Sequence, residues 1–128
     1  MKAQVSVEFL VYFGFLLLVS SLFLANHLSN SQKLSNLKME VESQEIADKV
    51  SFEINSAVIA GNGYERNFYL EEKIGGFSNY TVEIGDYYVL IDWDGRSKIS
   101  KASTKSINGT IEKGWNLIRN INGGIYVN

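Results

Sequence analysis

From Val5 to Ala25 the chain carries a single formal charge, Glu8, inside an otherwise apolar or small-polar run. At a helical rise of ~1.5 Å per residue this stretch reaches ~30 Å, the thickness of a bilayer's hydrocarbon core. A membrane anchor accounts for the length but not for Glu8, because a carboxylate inside a span is costly and usually has a task. A secretory signal peptide does not fit either. Its apolar part is shorter, and it ends at a small-x-small cleavage site, where Phe23-Leu24-Ala25 presents a large residue. The remaining place for a cut lies ahead of the run, between Ala3 and Gln4. Such a cut leaves the whole helix in the mature chain, with Gln4 first and Glu8 fifth.

With Gln4, Ser6 and Glu8 in that register behind a three-residue leader containing Lys2, the N-terminus resembles the class III signal peptide of archaeal type IV pilins. A subgroup of that family carries Leu four residues after the Glu; Tyr12 stands there in this chain. The resemblance covers about the first 25 residues. It implies cleavage at Ala3–Gln4 by a prepilin peptidase. Assembly would follow, served by a separate platform protein and ATPase, into a filament whose core is made of parallel helices. Val5, Phe9, Tyr12, Phe13, Leu16 and Leu17 would then be filament-core residues. Glu8 would set register through the new N-terminal amine of Gln4 on a neighbour, and a buried pair of that kind contributes register more than net stability.

Without Pro anywhere in the chain, nothing interrupts a helix from Gln4 to about Ala60, a rod of ~80 Å. Its first part is apolar all round, as a membrane or buried helix is. Gly14 is a weak point of ~1 kcal/mol against Ala, or a place where another helix approaches closely. From Asn26 the pattern becomes amphipathic. Leu34, Leu37, Val41, Val50, Ile54 and Ala57/Val58 recur roughly at steps of three or four, with Ile46 near the same stripe, and Lys38, Glu40, Glu42, Asp48 and Glu53 occupy the other faces. Gly61-Asn62-Gly63 is the stop signal.

Beyond Gly63 the period falls toward two. Strands are expected at Phe68–Leu70, closed by Gly75-Gly76, and at Tyr80–Ile84 and Tyr87–Ile91 around a Gly85-Asp86 turn. Asp94-Gly95 leads to a weaker strand near Lys98–Ala102, and Ser103–Ser106 reads as a loop. Trp115–Ile121 and Ile125–Val127 form a last hairpin about Asn122-Gly123-Gly124. A small antiparallel meander needs cover for its apolar face, and the helical stripe Leu34–Val58 supplies it.

The expected fold is therefore α+β: a long N-terminal helix wrapped at its C-terminal half by a small antiparallel meander sheet, the lollipop of a pilin. Residues 1–3 are the leader and 4–28 the transmembrane or filament-core helix. Residues 29–128 are the head, with an amphipathic helix over 29–60 and sheet over 64–128.

Composition narrows the functional classes. The formal charge is −2, with Lys and Arg scattered, so nucleic acid is not an expected partner. There is no Cys and a single His, His27, placed where the helix leaves the apolar region. No nucleophile–base pair or phosphate-cradling Gly loop stands out, so neither enzymatic activity nor a cofactor is expected. Asp92-x-Asp94-Gly95 lacks the later ligands of a calcium loop and reads as a turn. The aromatics Phe9, Tyr12, Phe13, Phe15 and Phe23 are packing residues. Asn79-Tyr80-Thr81 and Asn108-Gly109-Thr110 are N-glycosylation sequons.

The function expected is a homopolymeric extracellular filament, held in the membrane before assembly and serving adhesion or cell contact. The alternatives are a single-span anchored binding or sensory module and an archaellin-like subunit.

Overall fold

A computed structural model describes the backbone of residues 1–76 and 78–128, and the side chains of all of these except residues 2 and 3. Among the described residues one helix, α1 (Lys2–Ala60), precedes seven strands: β1 (Glu65–Leu70), β2 (Thr81–Gly85), β3 (Tyr88–Trp93), β4 (Arg96–Lys101), β5 (Ile107–Gly109), β6 (Gly114–Ile121) and β7 (Gly124–Val127). The fold class is α+β, a long N-terminal helix followed by a small, mainly antiparallel sheet region. The chain divides into two compact units, Met1–Leu37 and Lys38–Asn128. The second unit thus begins nine residues inside the head expected over 29–128.

α1 stops where the glycines say it should. The Gly61 N–H donates to the Ala57 carbonyl at 3.2 Å, and Gly61 takes φ of 81°. This left-handed cap satisfies a terminal carbonyl at no steric cost to a residue without Cβ.

In the second unit the core lies between α1 and the strands. Met39, Ile46, Ala47, Val50, Ile54 and Ala57 of the helix are buried with Phe68, Leu70, Val89, Ile91, Trp93, Ile118, Ile125 and Val127. Ser43 and Ser51 lie on the same buried stripe. The Ser51 hydroxyl donates to the Lys101 carbonyl at the end of β4.

This phase departs from the expected one. Leu34, Leu37 and Val41 are exposed, while Glu53, expected on a solvent face, is buried. Ile46, Val50, Ile54 and Ala57 of the expected stripe are buried, and the packing face continues through Met39, Ser43, Ala47 and Ser51 in place of Leu34, Leu37 and Val41. Arg66 of β1 faces Glu53, Nη1 to Oε2 at 3.6 Å, an ion pair without a hydrogen bond, and that buried oxygen has no hydrogen-bond partner among the described residues.

The strands resolve into two sheets. β2-β3-β4 is a three-stranded meander, and the other sheet has the order β1-β6-β7-β5. β5, which the sequence reading did not separate from its surroundings, pairs with β7 in parallel, Ile107 opposite Ile125 and Gly109 opposite Val127. Three residues with one apolar side chain leave no periodicity to read.

The β2–β3 loop is Asp86-Tyr87, one residue later than expected, because Gly85 is paired with Tyr88. A Cβ on Gly85 would lie 2.1 Å from Tyr88 Cζ. The tyrosine ring therefore covers this glycine, which serves packing rather than the turn. Asp94-Gly95 and Asn122-Gly123 do form the turns expected, with positive φ at both residues of each pair.

Candidate functional site: the exposed faces of the helix

In the first unit, the described side chains from Gln4 to Leu34 are all exposed. α1 is long and apolar enough there to cross a membrane, and its most apolar 18-residue window is 0% buried. Val5, Phe9, Tyr12, Phe13, Leu16 and Leu17 share one side of the helix, and Leu10, Val11, Phe15, Leu18 and Leu22 present apolar surface on the others. Phe9 and Phe13, one turn apart, stack with ring centroids 6.0 Å apart and planes 13° from parallel. Gly14 has open space where a Cβ would stand. Glu8 is exposed and forms no ion pair among the described residues. Gln4 lies four residues before it, on the same helical face. The Ala3 side chain, at the expected cleavage site, lies outside the described residues.

In the second unit α1 has two dissimilar faces. One is buried against the strands. Val41, Phe52 and Ile59 lie on the opposite side of the helix, at exposures of 56%, 61% and 84%. At ~100° per residue these three fall within a narrow arc, since their separations are close to whole turns. Glu45 and Asp48 fall on that arc too and are exposed. This stripe is masked in the sequence because Val41 also continues the spacing of the buried one. The signal was present in the spacing of Val41, Phe52 and Ile59.

Elsewhere the polar groups are mostly occupied with one another. Glu40 meets Arg96 and Lys98, and Lys49 meets Glu71 at 3.6 Å. A groove of about 390 Å³ is lined by Glu42, Glu45, Ile46, Lys49, Glu71 and Lys73. Its Glu42 accepts the Gly75 N–H and holds a loop in place. The Arg66 guanidinium is held above its ordinary value, first by a hydrogen bond with Tyr64 and next by the Glu53 charge. Tyr80 is pushed up to about 12, chiefly by burial and then by the Glu71 and Tyr69 charges. Among the described residues no group of three or more His, Asp or Glu is placed to hold a metal ion.

On the outer face of the β1–β6 pair, Trp115 is 73% exposed and meets Tyr69 edge-on, centroids 5.4 Å apart. Of the sequon residues, Asn79 is exposed with its Oδ1 accepting from Lys113 Nζ at 3.4 Å. Asn108 is exposed in the middle of β5 rather than at a turn. His27 is exposed on the helix.

No protein-family model, curated protein or solved structure matches the chain.

Proposed function

We propose that this chain is the structural subunit of an extracellular filament of the archaeal type IV pilin kind. It is cut after Ala3 by a prepilin peptidase and polymerised through its helix. The observation that carries the reading is the pair of uncovered apolar surfaces on α1. The first unit is apolar and exposed all round, and the helix in the second unit keeps Val41, Phe52 and Ile59 exposed on the side away from the strands. A solitary bilayer anchor accounts for the first surface and leaves the second in water. Helices of other copies cover both, and burial at ~25 cal/mol per Å² makes such an assembly strongly favourable.

The Gln4-x-Ser6-x-Glu8 register supports the same reading. The cut brings Glu8 within about a turn of a new N-terminus, where a carboxylate is favoured both by the helix dipole and by a free amine. Before assembly the apolar helix holds the precursor in the membrane; a separate platform protein and ATPase drive extraction. The outer sheet surface, with Trp115 and Tyr69, is the part offered to surfaces or other cells, and Asn79 and Asn108 are its glycan acceptors.

The test is Glu8→Ala in the native cell. Loss of most surface filaments, with the variant accumulating in the membrane fraction, is the expected result. Filaments in normal number would remove the assembly role from Glu8.

A further inference from the structure

The sheet β1-β6-β7-β5 has β5 at its edge, and one row of opposed residues crosses its strands. Glu65 stands opposite Arg119, Arg119 opposite Tyr126, and Tyr126 opposite Asn108. Opposed residues of a ladder share a face, and the neighbours along β6 and β7, Ile118, Ile125 and Val127, are buried in the core. The row therefore lies on the outer face. Asn108, Gly109 and Thr110 are all exposed at the edge of that face. The Asn108 backbone pairs with β7, yet no side-chain hydrogen bond among the described residues involves its amide. The acceptor nitrogen of this sequon is thus uncommitted on a fixed strand, whereas Asn79 Oδ1 is engaged by Lys113.

Tyr126 provides a surface beside that nitrogen. Its ring leans back along β7 over Gly124, where a Cβ would lie 3.2 Å from Cε2. The residue is 40% exposed, so a flat apolar surface is offered one strand, ~4.8 Å, from the attachment point. One strand further, ~10 Å from Asn108, the buried Nε of Arg119 has no hydrogen-bond partner, and Arg119 forms no ion pair among the described residues. A pyranose ring has an apolar C–H face and a rim of hydroxyls. An aromatic face covers the first, and a guanidinium donates to the second.

We propose that Asn108 carries an N-linked glycan whose first sugar packs on the Tyr126 ring and whose second reaches the Arg119 guanidinium. A separate transferase joins Asn108 Nδ2 to the anomeric carbon of a phosphate-activated sugar. The sugar–phosphate bond breaks, the phosphate carrier leaves, and one Nδ2 proton goes to solvent. So placed, the glycan covers an aromatic ring that the bare chain leaves in water, and ties the edge strand β5 to β7 and β6. The proposal rests on the reading of Asn108 as a glycan acceptor and is independent of polymerisation.

The test uses the full chain from native cells, in detergent micelles, taken from whichever fraction holds it. Thermal midpoints are compared for the unsubstituted chain, Thr110→Ala, Tyr126→Ala and the double variant. Peptide mass mapping gives the occupancy of Asn108 in each, and the glycosylated molecules are separated for the comparison. Thr110→Ala abolishes the sequon without touching Asn108; Thr110→Ser preserves it and is the control. Loss of the glycan should lower the midpoint by a few degrees when Tyr126 is present and leave it unchanged when the ring is gone. Equal effects in both backgrounds, including none, would overturn the packing on Tyr126 while leaving the acceptor reading intact. An unmodified Asn108 in the unsubstituted chain would overturn the acceptor reading itself. Should Tyr126→Ala not fold, Tyr126→Thr removes the ring, keeps a strand-forming residue and is read in the same way.

Discussion

The side-chain amide of Asn120 in β6 donates to the Ala57 carbonyl in the last turn of α1 at 2.8 Å. Its Oδ1 accepts the Gly123 N–H of the β6–β7 turn at 3.0 Å. One buried amide thus joins the end of the helix to the hairpin that carries the C-terminal strand. Replacing it with Ala breaks both links, leaves the Ala57 carbonyl with the Gly61 N–H alone and opens a small void. Asn120→Ala is expected to cost ~1–3 kcal/mol, read as a lowered denaturation midpoint of the full chain in detergent micelles.

Gly109 sits at φ of 102°, and a Cβ there would lie 1.9 Å from the Val127 carbonyl oxygen. Both the dihedral and the space demand glycine. Gly109→Ala should cost more than ~1 kcal/mol and detach β5 from β7, seen as faster hydrogen exchange confined to Ile107–Gly109 and its partners. Unchanged exchange would mean that the parallel pairing tolerates a side chain at Gly109.

Glu53 is buried and depends on Arg66. Removing the arginine strands a carboxylate, whereas replacing the acid with an aliphatic residue removes the need for a partner. Arg66→Ala should therefore lower the unfolding midpoint more than Glu53→Leu, whose effect should fall within ~1 kcal/mol of neutral. The reverse order would show that the pair stabilises more than it costs to bury.

Tyr80 titrates at about 12 in the folded chain against an ordinary 10, because burial disfavours the phenolate. The folded state then holds this proton while the unfolded state releases it. Stability is undiminished below pH 10 and declines as pH rises from 10 toward 12, by an amount on the order of 1–3 kcal/mol. Tyr80→Phe should reduce that alkaline decline. It should also lower stability at neutral pH, since the Tyr80 hydroxyl no longer donates to the Glu71 carbonyl.

Local pattern was the legible part of this fold. A run without Pro and a Gly-Asn-Gly stop marked the helix, and the Asp94-Gly95 and Asn122-Gly123 pairs marked two hairpins, because each works through local backbone geometry. What escaped the sequence depends on partners far along the chain. Ser43 and Ser51 belong to the core only because strands approach there, and Asn116 and Asn120 are buried in β6 because their amides are satisfied by Glu112, Gly114, Asn128, Ala57 and Gly123. β5 exists through its pairing with β7 and has no signature of its own. At the helix, the apolar first unit was evident from composition; the second exposed stripe was hidden because two stripes share one amphipathic pattern.

The most direct measurement of the filament account is the intact mass of the protein sheared from the surface of native cells. A chain starting at Gln4 is expected, short by one ammonia where Gln4 has cyclised and heavier by glycans where Asn79 or Asn108 is modified. A chain starting at Met1 and confined to the membrane fraction would contradict it and leave an anchored module in its place.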